Sequence, residues 1–295
     1  MTARPEDDSP SIAALARESF YRLFADEAIP LAGNIAFRIV FSLFPFLIFL
    51  TALAGFFGNE DLAEGVVNYL LEVAPAELVK PLAPEIRSIL TVPRTGLLSV
   101  SALITIWSAM GGVDSVRVGL NRAYDLRETR SYWHIYALDI LFVISSAVFL
   151  LVFALLIVFA PLLLQQIETH APSLRGHLVT LEQLRYPIGI LLLTVGLLIC
   201  HRVLPARAHG ILALLPGVLL TVLAWVIMSS AFSIYLVKFN TFASTYASLS
   251  GVFTAMFFVY LAALALILGG EVNRVLEMRR LLRNERYLQQ HDGEV

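Results

Sequence analysis

Residues 31–57 read LAGNIAFRIVFSLFPFLIFLTALAGFF, and Arg38 is the only charged residue among them. A hydrocarbon core about 30 Å thick is crossed by about 20 apolar residues in an α-helix, so this stretch is long enough to span a membrane. Lipid offers the backbone no hydrogen-bond partner, and a helix satisfies its peptide groups within one segment. The stretch therefore predicts a transmembrane α-helix.

Five further apolar runs follow along the 295-residue chain, and they cover residues 95–116, 135–164, 184–204, 210–237 and 247–270. Only 15% of all residues are charged, whereas soluble domains carry about a quarter. These features predict an all-α fold, a polytopic membrane bundle of about six transmembrane helices over residues 31–273. Residues 1–30 would form a cytoplasmic N-terminal segment and residues 274–295 a cytoplasmic C-terminal tail.

The Lys and Arg residues are distributed unequally between the two sides of this bundle. With the N-terminus inside, 14 of the 21 lie in cytoplasmic segments and 6 lie in outer segments. Positive residues favour the cytoplasmic side. An even number of spans then places both termini in the cytoplasm.

Residues 59–94 form the larger of two predicted outer loops, and residues 165–185 form the other. Apolar residues recur in the first loop at helical spacing: Leu62, Val66, Tyr69, Leu70 and Val73. This pattern predicts a short amphipathic helix that lies along the outer membrane surface.

Ionisable side chains within membrane spans are costly and often functional. Arg38 lies about eight residues into the first span and shares a helix face with Asn34. It could serve a site, or extend to the cytoplasmic headgroups as an anchor. Other polar residues expected near the cytoplasmic side, beside His201 and Arg202, are Asp114, Asp139, Glu271, Asn273 and Arg274. Together with Asn34 and Arg38, these five form a predicted polar pocket that either binds an anionic headgroup or ion, or only neutralises its own charges.

A stripe of small residues in the second span predicts a helix-packing seam: Ser101, Thr105, Ser108 and Gly112. Their intervals of four, three and four place them on one helix face. Small side chains allow helix backbones to approach closely within lipid.

The sequence lacks the features that several classes of function require. A net charge of −2 gives no basic field for nucleic acid. The six histidines include no pair at helical metal-ligand spacing, and no Gly-rich phosphate loop is present. We therefore expect no catalytic residue, no metal site, no cofactor and no nucleic-acid partner.

The chain resembles the YihY/BrkB family of bacterial inner-membrane proteins, once mislabelled as ribonuclease-BN-like, from about residue 19 to residue 280. The similarity is carried by residues 36–45, 107–109, 120–124 with Arg130, 204–205, 215–217, 246–249 and 268–273. One departure is Phe37-Arg38, where the family commonly has a tyrosine pair. The resemblance implies a six-helix protein of the bacterial cytoplasmic membrane, for which ion or solute transport and envelope lipid handling have been suggested.

Three classes of function follow from these patterns. The polar residues in the spans favour a transporter or translocator of lipid or of a small ion or solute. The alternative is a structural or assembly partner in a cell-envelope complex, in which the same residues form satisfied pairs. An enzyme, including a ribonuclease, is disfavoured because clustered metal ligands are missing. The expected partners are membrane lipids, with envelope proteins or a second copy of the chain as further possibilities.

Overall fold

The computed structural model describes residues 12–73, 76–92, 95–159, 175–239 and 247–292. Within these ranges the chain forms nine α-helices, one π-helical segment and no strand. The helices are α1 (Ile12–Ala25), α2 (Ala28–Phe57), α3 (Glu60–Val73), α4 (Ala76–Thr91), α5 (Thr95–Ala123), α6 (Tyr132–Ala154), α7 (Arg175–Val203), α8 (Ile211–Phe239) and α9 (Ala247–Asp292). The π-helical segment Leu155–Phe159 continues α6. The predicted all-α fold is confirmed.

Six of these helices, α2 and α5 to α9, are long and apolar enough to cross a membrane. Each overlaps one of the six predicted runs, and residues 160–164 of the third run lie outside the described residues. The last helix contains its predicted run and extends beyond it. Since α9 continues to Asp292, the described part of the predicted tail extends the sixth spanning helix.

Helix α6 exposes large apolar side chains, as expected for a helix surrounded by lipid. Leu141, Ile144 and Leu151 expose 57–61% of their surface. Tyr132 and Trp133, at the start of the same helix, are 81% and 85% exposed. A soluble protein rarely exposes apolar patches of this kind, whereas aromatic residues at the end of an apolar helix are typical of a membrane interface.

The predicted outer loop contains two helices, α3 and α4, rather than one. They pack against each other, and Arg87 Nε lies 2.7 Å from Glu64 Oε1. Proline usually breaks a helix interior, and Pro81 and Pro84 of α4 obscured the second helix in the sequence. The side chains of Leu62, Tyr69, Leu70 and Val73 lie outside the described set, as do residues 165–174 of the other loop.

The chain divides into two compact units. One is Phe37–Gly112, and the other combines Met1–Ala36 with Val113–Val295. In the second of these, α9 packs against α8 and α1, and α7 packs against α8. The core of this unit consists of Leu120, Tyr124, Leu197, Leu204, Leu214, Val218, Val222 and Leu266.

Helices α8 and α9 approach closely at a pair of glycines. A Cβ atom on Gly217 would lie 1.9 Å from the Gly269 carbonyl oxygen, and one on Gly269 would lie 2.3 Å from Thr221 Oγ1. The Thr221 hydroxyl lies within hydrogen-bond distance of Gly217 O at 3.0 Å and Ala265 O at 3.2 Å. Small residues thus set the separation of the two helices.

The predicted packing seam lies on the least exposed face of α5 in the unit Phe37–Gly112. Ser101 is buried and donates to Leu97 O at 2.6 Å. Thr105 and Ser108 are half-buried. A Cβ atom on Gly112 would lie 3.6 Å from the side chain of Ile39 on α2, an ordinary packing distance.

Candidate functional site

Polar residues of the unit that contains α6 to α9 gather where α5 and α7 end and α6 and α8 begin. We call this region the charged end, and it comprises residues 18–26, 114–139, 201–210 and 271–279. Three arrangements of side chains make up the charged end: a tyrosine cluster, a carboxyl group at Glu271 and a clamp around Glu128.

Asn273 holds the tyrosine cluster together. Its Oδ1 accepts a hydrogen bond from the Gly217 N–H at 2.7 Å. Its Nδ2 donates to Leu214 O and to the Tyr124 hydroxyl, both at 3.0 Å. Both backbone partners flank Pro216, which lacks an N–H and weakens the regular bonding of α8. One amide therefore joins α8, α9 and the end of α5.

Tyr124 extends the cluster to two histidines. Its hydroxyl oxygen lies 2.8 Å from His201 Nδ1, and its ring stacks on His209 with centroids 4.7 Å apart. Burial raises the pKa of Tyr124 above its ordinary value, so the hydroxyl keeps its proton. Because the hydroxyl oxygen accepts from Asn273, its proton is available to His201 Nδ1. His201 is fully buried, and its Nε2 has no partner among the described residues.

Asn273→Ala is expected to destabilise the protein by about 1–3 kcal/mol, because it leaves buried backbone groups without a partner. Asn284→Ala is the matched control, since Asn284 lies on the same helix and is exposed. The measurement is thermal unfolding of both variants in the same detergent. Equal melting temperatures for the two variants would show that the Asn273 amide does not hold α8 to α9.

Glu271 lies two residues before Asn273 on α9, and its surroundings are very different. It has no exposed surface, and neither carboxyl oxygen has a hydrogen-bond partner among the described residues. The charged groups that act on it are Asp26, Arg274 and Arg22. It is thus a buried carboxyl group to which the described part of the chain supplies no donor.

Arg274 connects two acidic residues beside Glu271. Its guanidinium nitrogens lie 3.0 Å from Asp26 Oδ2 and 2.8 Å from Asp125 Oδ2. Arg122 Nε lies 3.7 Å from the other Asp26 oxygen. Asp125 is 72% exposed in its side chain and takes a left-handed backbone conformation, with φ of 55°, after the end of α5. Asp26 therefore lies beside two arginines, Arg122 and Arg274. Glu271 accepts no hydrogen bond from any arginine among the described residues.

Glu128 is the centre of a clamp between two loops. Its carboxylate accepts hydrogen bonds from Arg130 Nε and Nη2, both at 2.8 Å, and also from Arg117 and Asn121. Arg130 Nη2 reaches Leu204 O at 2.7 Å. Asn121 Oδ1 accepts from the Ala206 N–H, also at 2.7 Å. The loop after α5 is thereby fixed to the loop after α7.

The predicted pocket residues fall into different parts of the molecule. Asp114 pairs with Arg117 beside the clamp, and Asp139 is buried there, with one oxygen lacking a partner among the described residues. Glu271, Asn273 and Arg274 lie around the other two arrangements. Asn34 donates to Ser115 Oγ at 3.4 Å. Arg38 belongs to the unit Phe37–Gly112, in which it donates to Gly111 O at 3.3 Å. A single pocket that includes Arg38 stays a prediction.

Sequence reasoning missed several residues of this region. Tyr124, Glu128 and Asn121 lie at or just after the end of α5, where polar residues are ordinary. Their partners His201, Ala206 and Asn273 are remote in sequence. The sequence did offer one indication of this region. Residues 121–130, which follow the second apolar run, contain both acidic residues and arginines, and these could form ion pairs.

Comparison with known proteins gives a family. The model of the family described as Virulence factor BrkB matches residues 19–293. The chain is also similar to the ribonuclease-like protein YfkH of Bacillus subtilis (strain 168), with 29% identity over 273 residues. That match covers 91% of this chain and 97% of YfkH. No solved structure matches the chain.

Proposed function

The chain belongs to the BrkB family of membrane proteins, and from this premise we propose that it transports a small ion or solute across the membrane. The observation that carries the proposal is the Glu271 carboxyl group, fully buried on a spanning helix without a hydrogen-bond partner among the described residues. Buried polar groups that only stabilise a fold are hydrogen-bonded. Ionisable residues within membrane spans mark ion and proton pathways.

The charged end faces the cytoplasm in this proposal. It carries Arg117, Arg122, Arg130, Arg202 and Arg274, and cytoplasmic loops are the arginine-rich ones. The proposed location is the bacterial cytoplasmic membrane, with both termini inside. Glu271 would then lie where the transport path meets the cytoplasm.

Lipid translocation is the second candidate, and a groove between α8 and α9 favours it. The groove has a volume of about 460 Å³, and its lining includes Met228, Phe232, Tyr235, Phe253, Phe257 and Leu261. It lies on the parts of α8 and α9 away from Pro216 and Glu271 along each helix. An acyl chain is the ligand that such an apolar lining would suit.

Two other roles are less well supported. An envelope assembly partner would need only satisfied polar pairs, which describes the Glu128 carboxylate but not Glu271. The name of YfkH suggests a ribonuclease, and a metal-dependent nuclease needs clustered ligands. The described residues hold no group of three or more His, Cys, Asp or Glu side chains placed to share a metal ion. We do not propose nuclease activity.

The test is flux into liposomes that contain the purified full-length protein. Vesicles are exposed in turn to gradients of H⁺, Na⁺, K⁺ and Cl⁻, and a separate set carries fluorescent phosphatidylethanolamine for leaflet exchange. We expect one of the four ion gradients to decay at least about tenfold faster than in protein-free vesicles, a barrier difference of about 1.4 kcal/mol.

Each contrary result identifies another candidate. Lipid exchange without ion flux would replace the proposal with lipid translocation. Rates equal to those of protein-free vesicles in every assay, with a protein partner co-purified from the native membrane, would favour the assembly role.

A further inference from the structure

We propose that the Glu271 carboxyl is a proton-binding site that exchanges its proton with cytoplasmic water through Asp26. This inference rests on the proposed transport function and names the ion to which transport is coupled. It begins from the geometry of Glu271, whose two oxygens are both inaccessible and both without a donor among the described residues.

A bare carboxylate is not stable in such a place. Burying an ionised carboxylate without a partner has a very high solvation cost, so the group must carry a proton or a bound cation. Arg274 is already paired with Asp26 and Asp125. The Nη2 atom of Arg22 lies 3.6 Å from Glu18 and 3.9 Å from the sulfur of Met278, and its buried Nε has no partner among the described residues. A proton satisfies Glu271 without withdrawing Arg274 from its two acids.

The charged groups that act electrostatically on Glu271 come from α1, the turn after it and α9. They are Arg22 on α1, Asp26 in that turn and Arg274 on α9 itself. Glu271 acts in turn on Tyr124, just after the end of α5. Asp26 is the acidic group that acts on Glu271, and no hydrogen bond joins the two carboxyl groups in this conformation. Asp26 is therefore the acceptor best placed to take the Glu271 proton.

Asp26 is partly exposed and therefore connects the buried Glu271 to solvent. Its side chain is 19% exposed, and Arg274 links it to Asp125, which is 72% exposed. In the exchange, the O–H bond of Glu271 breaks as an O–H bond to an Asp26 oxygen forms. The proton then passes from Asp26 to water, which becomes hydronium. Glu271 is left as a carboxylate, and Arg274 lies beside both acids to compensate the charge.

Infrared spectroscopy of the full-length protein in lipid nanodiscs tests this site directly. A protonated carboxyl gives a C=O stretching band that is separate from ionised carboxylate bands and moves in D₂O. We expect this band in the wild type across neutral pH, its complete loss in Glu271→Gln and its retention in Glu285→Gln. Glu285 is the matched control because it lies exposed on the same helix.

If Glu271→Gln folds poorly, two further samples can still assign the band to Glu271: labelled wild type and Glu271→Asp. Carbon-13 labelling of the glutamate carboxyls should shift the wild-type band, and Glu271→Asp should move it without removing it. The proposal is overturned if the wild type lacks the band, if the band is unchanged in Glu271→Gln, or if Na⁺ stabilises the wild type in place of a proton. A band assigned to Glu271, found together with no flux in any liposome assay, would support the proton site and refute the transport function.

Discussion

Gly269→Ala is expected to destabilise the folded protein by about 1–3 kcal/mol or more, because it overfills a close contact between two spanning helices. The added methyl group would lie 2.3 Å from Thr221 Oγ1 and 2.6 Å from the Gly217 carbonyl oxygen. The second of these atoms is backbone and cannot rotate away, so α8 and α9 must separate. That separation would also pull Asn273 from Gly217 and Leu214.

The matched control is Gly251→Ala on the same helix. A Cβ atom there meets nothing within 4 Å, and alanine favours a helix over glycine by up to about 1 kcal/mol. We expect the melting temperature in detergent to fall in Gly269→Ala and to stay level or rise in Gly251→Ala. Equal changes in both variants would show that the glycine pair does not set the separation of α8 and α9.

Glu128→Ala is expected to cost about 3 kcal/mol, the low end of the range for breaking a buried ion pair, because 22% of the Glu128 side chain is exposed. The substitution leaves the buried guanidinium of Arg117 with Asp114 alone and leaves Arg130 bonded only to the backbone carbonyls of Val203 and Leu204. The measurement is the free energy of unfolding, with Glu285→Ala as the exposed control. A loss no larger than in that control would show that the clamp contributes nothing to stability.

The same clamp gives a pH dependence with a definite sign. Hydrogen bonds from Arg130, and then from Arg117, hold the pKa of Glu128 well below its ordinary value of 4.5. A group whose pKa is depressed on folding stabilises the protein above its unfolded pKa and loses that contribution as the pH falls towards the folded value. The stability difference between wild type and Glu128→Ala should therefore be constant above about pH 4.5 and shrink in more acidic buffer. A difference that grows on acidification would contradict this assignment.

The features that could be predicted from the sequence are those that depend on neighbouring residues in the chain: the apolar helices and the polar residues at their ends. Six spans follow from uninterrupted apolar runs, since a helix in lipid needs only length and composition. Glu271 and Asn273 stood out because a polar side chain at the end of an apolar run is conspicuous. The second helix of the outer loop was not predictable from periodicity, because α4 contains Pro81 and Pro84.

The arrangement of the charged end depends on contacts between remote segments, which sequence patterns do not encode. Tyr124 looks like an ordinary residue after a span until His201 and Asn273 are placed on its hydroxyl. Glu128 looks like a solvated loop acid until Arg117 reaches it from the preceding helix. Even the difference between Asn273, which is satisfied, and Glu271, which is not, appears only after folding.

The central claim is that Glu271 serves transport rather than stability. The most direct measurement compares ion flux into liposomes for Glu271→Gln and Glu285→Gln, both inserted at equal density and with melting temperatures matched to wild type. We expect the flux in Glu271→Gln to fall about tenfold or more, while Glu285→Gln retains the wild-type rate. Equal rates in the two variants would contradict the claim and return Glu271 to a structural role.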